Sequence, residues 1–127
     1  MKIILVDAVN VFVSKEGKIF EEMSELLEEY PNRKIILTGA DEKQQVVFGL
    51  DKMPYEVFTL NHNPEKIDPS YYRKTLEYFN LDSEDVIYFE HDKAAVESAE
   101  SVGIKTYYYN KDKRDVVDLK GFLDNNV

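Results

Sequence analysis

The residues best suited to chemistry in this chain lie where short apolar runs end. They are Asp7, Thr38, Lys66 and the segment Glu90-His91-Asp92. A carboxylate can attack phosphorus or hold a hard cation such as Mg²⁺. A hydroxyl can hold a phosphate oxygen, and a lysine can neutralise charge that builds up in the transition state. This combination of side chains suits phosphate chemistry, provided that the fold brings them together.

The apolar runs themselves predict the strands of a parallel sheet. Residues 3–6 (IILV) form a run without polar alternation, which is typical of a strand that is covered on both faces. Similar runs occupy residues 34–37, 55–60, 86–89 and 105–110. Ligands of such sheets bind beyond the carboxyl ends of the strands. We therefore expect Asp7, Thr38, the loop after Leu60 and residues 90–92 to meet at one edge, with Lys66 beside them.

Helical patterns lie between these runs. Helices are expected over residues 20–30 and 41–50, from Pro69, from Lys93 and over residues 114–126. Asp68 caps the third of these, and Tyr72, Leu76 and Phe79 are expected to form its buried stripe. Gly103 should end the fourth as a left-handed cap, whereas Gly121 is expected to interrupt the last. Residues 11–20 predict a small hairpin or flap with Gly17 in its turn.

Strands that alternate with helices predict a three-layer α/β sandwich with a parallel sheet of about five strands. The 127 residues are expected to form a single domain, 1–127. The formal charge of −9 argues against a nucleic-acid partner, because phosphate backbones attract basic surfaces. No apolar run suits a membrane span, and the absence of cysteine and of a signal-like start favours a cytoplasmic location.

Two longer segments carry a resemblance to the haloacid dehalogenase (HAD) superfamily. KIDPSYYRKTLEYFNLDSEDVIYF, which begins at Lys66, is similar to the family's lysine motif with its helix and strand. AVESAESVGIKTYYY is similar to the segment that follows the family's last acidic motif. The resemblance implies a Rossmannoid sheet and a hydrolase that acts on a small phosphorylated substrate. In it, Asp7 would be the nucleophile, and Thr38 and Lys66 would hold the phosphate.

The same resemblance implies a capless member, because the intervals from Asp7 to Thr38 and from Thr38 to Lys66 are too short for a folded cap domain. The first motif departs from the usual DxDGT. Val9 stands where phosphatases place a second aspartate, which serves as the general acid/base. Losing such a group typically costs ~10²–10⁴-fold in rate.

The implied metal site departs from the family pattern as well. Its positions are Asp7, Val9, His91 and Asp92, and Mg²⁺ is the cofactor that the resemblance implies. When the chain is aligned with the family pattern through Val102-Gly103-Ile104, His91 falls on the metal-binding aspartate. Asp92 and Glu90 are expected to be loop carboxylates, which reach a cation only if the loop shifts.

Two functions remain open at this point. The first is a weak Mg²⁺-dependent phosphatase-type hydrolase, and the second is a catalytically inactive binding or regulatory module. A metal-free dehalogenase is disfavoured, since such members carry a cap and a D-x-Y-G-T motif. A receiver-like phosphoacceptor domain ranks lower still, because the third strand ends in Leu60-Asn61-His62 rather than in an aspartate. Each candidate residue also has a structural interpretation: Asp7 can cap a turn, and His91 can be a hydrogen-bonded structural residue.

Overall fold

Five parallel strands form one sheet in the order β3-β2-β1-β4-β5, which confirms the predicted α/β architecture. The structure is a computed structural model and describes all 127 residues. The strands are β1 (Ile3–Asp7), β2 (Lys34–Thr38), β3 (Glu56–Thr59), β4 (Val86–Glu90) and β5 (Lys105–Tyr108). The helices are α1 (Glu21–Glu28), α2 (Glu42–Val47), α3 (Pro69–Phe79), α4 (Lys93–Ser101) and α5 (Val116–Asn126).

The central strand β1 is buried on both faces, as its unbroken apolar run predicts. Ile4 and Val6 join the core that α1 and α5 cover, and Leu5 joins the core beneath α3 and α4. Consecutive residues of a strand point to opposite faces, so each face needs its own helical layer. The three-layer arrangement follows, with β1 in the middle of the sheet.

Several boundaries differ from the expectations. Helix α5 runs through Gly121 without interruption, because Leu119 and Leu123 are fully buried and hold it against the sheet. A single glycine costs a helix only about 1 kcal/mol, which this packing offsets. Helix α2 ends early because Gly49 adopts a left-handed φ of 68°, and a 3₁₀ turn follows.

The buried stripe of α3 also differs from its prediction. Tyr71, Tyr72, Thr75 and Leu76 are buried, while Phe79 is only half-buried. Elsewhere the cap predictions hold, since Asp68 accepts the backbone N–H of Ser70 and Gly103 has a φ of 95°.

The predicted flap follows β1. Val13 bridges to Val9 and, in antiparallel sense, to Ile19, and Gly17 lies at the tip with a φ of 84°. The tip rests on the end of α2, where a Cβ atom on Gly17 would lie 3.2 Å from the backbone of Phe48. None of the described segments forms a cap domain over the sheet. No helix combines the length and the apolar character that a membrane span needs.

Two glycines make a matched pair for testing this contact. Gly17→Ala is expected to lower the free energy of unfolding by about 1–3 kcal/mol, because it adds backbone strain at positive φ and crowds the backbone of Phe48. A Cβ atom at position 121 would meet no atom within 4 Å, so Gly121→Ala should raise the free energy of unfolding by up to about 1 kcal/mol. Chemical denaturation measures both, and equal effects of the two substitutions would contradict this account.

Candidate active site

A buried ion-pair cluster lies at the carboxyl ends of the two central strands. Asp7 ends β1 and Glu90 ends β4, its parallel neighbour, so the two carboxylates come side by side. Lys66, from the loop before α3, reaches between them, with Nζ 2.6 Å from Asp7 Oδ1 and 2.8 Å from Glu90 Oε1. It also donates to the carbonyl oxygen of Leu37 at 3.1 Å. The predicted meeting of Asp7 and Lys66 is therefore present.

Glu90 differs from its prediction as a loop carboxylate. It is the last residue of β4 and is only 1 % exposed. Its carboxylate accepts hydrogen bonds from the Tyr88 hydroxyl and from the backbone N–H groups of His91 and Asp92, at 3.0 and 3.1 Å for the two N–H groups. The run VIYF followed at once by an acid is the sequence signal for this position, but no local pattern distinguishes a strand's last residue from the loop.

His91 engages the oxygen of Asp7 that Lys66 leaves free. Its Nδ1 contacts Asp7 Oδ2 and lies 3.2 Å from Glu90 Oε2. Its backbone N–H also donates to Asp7 Oδ2 at 3.2 Å. As a result both oxygens of Asp7 are engaged, one by Lys66 and the other by His91.

The charges of this cluster depend on each other. Burial and the charge of Glu90 raise the pKa of Asp7 to about 6. Burial alone would also raise the pKa of Glu90, but the Lys66 charge and hydrogen bonds from its neighbours hold that pKa well below its usual range. Burial opposes the charge of Lys66, yet Asp7 and Glu90 raise its pKa well above the ordinary value. Hydrogen bonds to Asp7 and Glu90 raise the pKa of His91 to about 10.

The imidazole of His91 is therefore expected to stay charged at neutral pH. Its raised pKa stabilises the fold fully below pH 6.5, and this contribution is lost as the pH rises through about 10.

His62→Asn leaves His91 as the sole histidine, and asparagine tolerates the positive φ of position 62. The pH dependence of the ring NMR chemical shifts then reports the protonation of the His91 imidazole directly. A ring that titrates near pH 6.5 would refute the assignment, and adding Asp7→Asn should lower its pKa.

A cleft of about 260 Å³ opens above the cluster. Asp7 and Lys66 line its floor, and Thr38 and Gly39 line its wall. Thr38 is buried, and its hydroxyl accepts the backbone N–H of Ala40 at 3.1 Å. The rim carries His62, which contacts the side chain of Gln44 and lies 2.8 Å from Glu65. Asp7, Thr38 and Lys66, predicted as one catalytic set, thus line the same cleft.

The two remaining predicted positions stand apart from the cluster. Val9 lines the cleft, but its side chain has no atom that can bind a metal or carry a proton. Asp92 is exposed, and its carboxylate caps α4 by accepting the backbone N–H of Ala94 at 3.0 Å. The cap explains why the Asp92 carboxylate does not turn toward Asp7.

The donor set does not fit Mg²⁺. Asp7, Glu90 and His91 each offer a ligand atom, and these atoms lie within 4.8 Å of one another. Mg²⁺, however, takes oxygen ligands in near-octahedral geometry, and the third group here is an imidazole. The carboxylates are already engaged by Lys66 and His91. A cation at this place would have to displace one of these two side chains.

Comparison with known proteins places this geometry in a known fold. No protein-family model matches the chain, and no curated protein does so by sequence. Among solved structures, a HAD-superfamily hydrolase of subfamily IA from Geobacter sulfurreducens matches at a TM-score of 0.68 and 13 % identity, covering 94 % of this chain and 96 % of that one.

Two further structures agree. A HAD-family enzyme from Bacteroides thetaiotaomicron, in complex with magnesium and inorganic phosphate, matches at a TM-score of 0.67 and 11 % identity, over 85 % of this chain and 93 % of that one. A putative β-phosphoglucomutase from Thermotoga maritima matches at a TM-score of 0.57 and 17 % identity, over 85 % of each chain. The chain therefore has a HAD-like fold.

Proposed function

We propose that this protein is a phosphatase-type hydrolase of small phosphorylated molecules, with Asp7 as its nucleophile. The observation that carries the proposal is the position of Asp7. Its carboxylate ends the central strand at the floor of the cleft, 2.6 Å from the Lys66 ammonium group. The Bacteroides thetaiotaomicron structure with the same fold holds inorganic phosphate, which supports a substrate of this class.

The reaction would proceed in two steps. An oxygen of ionised Asp7 attacks phosphorus while the bond from phosphorus to the leaving oxygen breaks, which leaves an acyl phosphate on Asp7. Water then attacks that phosphorus, releasing inorganic phosphate and restoring the carboxylate. The Lys66 ammonium group neutralises charge on the phosphoryl oxygens, and Thr38 at the cleft wall helps to hold them. Asp7 is mostly ionised above pH 6, as the attack requires.

Val9 restricts the substrates that such a site can turn over. The position of the family's general acid/base carries an apolar side chain, so the first step has no acid there to protonate the leaving oxygen. The leaving group must then depart as an anion. Acyl and aryl phosphates, whose leaving groups are acidic, suit this site better than alkyl phosphates do.

We expect turnover to fall steeply as the leaving group of an aryl phosphate series becomes less acidic. Val9→Asp should raise the turnover of an alkyl phosphate by ~10²–10⁴-fold and flatten that dependence, because it supplies an acid. Val9→Asn is the matched control, with similar size and no acidic proton, and should give no gain. Steady-state rates measured with EDTA and with Mg²⁺ test this. Equal turnover of aryl and alkyl phosphates by the wild-type protein would contradict it.

The second candidate is a catalytically inactive module that binds a phosphorylated ligand. It is favoured by the engagement of both Asp7 oxygens and by the 4 % exposure of that side chain, since attack requires one of these contacts to open. Inorganic phosphate then serves as the probe. Chemical-shift changes at Thr38 and Gly39 on its addition, with no turnover of any aryl phosphate, would favour this candidate over the hydrolase.

A further inference from the structure

The cluster of Asp7 and Glu90 poses an electrostatic problem of its own. The two residues are 3 % and 1 % exposed, and their carboxylates converge on the same Lys66 ammonium group. Buried carboxylates are costly unless they are paired and hydrogen-bonded. In a phosphatase-type site a divalent cation can meet this need. Here one lysine faces two carboxylates, so a second positive group is needed.

We propose that His91 acts with Lys66 as a built-in substitute for the divalent cation, so that Asp7 and Glu90 are held without a metal ion. The inference goes beyond the proposed hydrolase, because it concerns how the site is assembled and does not depend on turnover. His91 is thereby a positioning residue for Asp7.

The contacts of His91 carry this proposal. Its Nδ1 and its backbone N–H each approach both carboxylates, contacting Asp7 Oδ2 and Glu90 Oε2. The resemblance also aligns His91 with the family's metal-binding aspartate, so a positive donor stands where the family pattern has a negative ligand.

The charge balance points the same way. With His91 and Lys66 protonated, two positive groups face two carboxylates, and the cluster is neutral. The Tyr88 hydroxyl and the backbone N–H of Asp92 also donate to Glu90, and neither group adds a charge. A divalent cation added to this set would leave an excess of positive charge in a buried place. It would therefore have to expel Lys66 or take the proton of His91.

Metal titration of the wild type and of His91→Asp tests the proposal. The thermal midpoint of the wild-type protein should not change between EDTA and millimolar Mg²⁺, Mn²⁺ or Zn²⁺. His91→Asp should melt lower in EDTA, because it adds a third acid to the cluster. Mg²⁺ should then raise its midpoint by on the order of 5–10 °C when the free ion exceeds its Kd about 100-fold. A rise of that size in the wild-type protein with any of the three ions would overturn the proposal.

A second measurement does not depend on His91→Asp being folded. In His62→Asn, the ring signals of His91 can be followed while paramagnetic Mn²⁺ is added. We expect no selective broadening of these signals below one equivalent of Mn²⁺. Asp92→Asn in the same background removes the adjacent exposed carboxylate and is expected to change nothing at the His91 ring. Selective broadening that persists in this control would overturn the proposal.

Discussion

Asp7→Asn is expected to lower the turnover of an aryl phosphate by roughly 10⁴–10⁶-fold, the loss found when a nucleophile is removed. The amide is similar in size to the carboxylate but cannot form the acyl-phosphate intermediate. The reduced rate should appear in kcat, because Lys66 and Thr38 remain available to hold the phosphate. The rate of product formation at saturating substrate measures the loss in kcat, and titration with inorganic phosphate measures phosphate binding separately.

Asp92→Asn is the matched control for this substitution. It makes the same chemical change on an exposed carboxylate, and asparagine caps a helix as well as aspartate does. Its turnover should equal that of the wild-type protein. If Asp7→Asn kept a substantial fraction of the wild-type rate, Asp7 would not be the nucleophile. Absence of turnover in the wild-type protein itself would leave the binding module as the function.

Lys66→Met is expected to lower the free energy of unfolding by about 3–5 kcal/mol at neutral pH, the usual cost of removing one partner from a buried ion pair. The methionine fills similar space but leaves Asp7 and Glu90 facing each other with His91 as their remaining positive group. The pKa values of both carboxylates rise in the folded variant. Protonation then relieves their repulsion, so the deficit should shrink as the pH falls.

Lys111→Met provides the comparison for an exposed lysine. Its Nζ lies 3.5 Å from Asp112 at the surface, and such pairs are worth little. We expect a change within about 0.5 kcal/mol at every pH. Urea denaturation of both variants at neutral and mildly acidic pH measures the difference. Similar losses for the two lysines would mean that the buried cluster is not what Lys66 stabilises.

The strand pattern was enough to predict that Asp7 lies at the edge where the strands end, and the segment KIDP before α3 placed Lys66 beside it. Unbroken apolar runs predict a parallel sheet, and residues at the carboxyl ends of its strands converge whatever their separation along the chain. Asp7 and Lys66 belong to segments whose patterns were clear. Local pattern also predicted the flap, because Gly17 lies in a polar tip between two apolar flanks.

The environment of Glu90 could not be predicted in this way. An acid at the end of an apolar run normally begins a loop, and burial of Glu90 depends on partners such as Lys66 that are distant in sequence. The prediction of a break in helix α5 was wrong for a related reason. Propensity at Gly121 predicts a break, whereas tertiary packing of Leu119 and Leu123 decides the outcome. Non-local contacts determine both cases, and no local pattern reports them.

The contact between the flap tip and the end of α2 has a consequence for access to the cleft. Gly17 lies against Phe48 and Gly49, and Phe48 and Gln44 line the cleft. Helix α2 contributes no buried side chain of its own, and Phe48 at its end packs against the core. The flap tip and the end of α2 therefore border this side of the cleft as one packed unit. A side chain added at Gly17 would crowd Phe48, and through Phe48 it would disturb the lining of the cleft at a distance from the carboxylate that would do the chemistry.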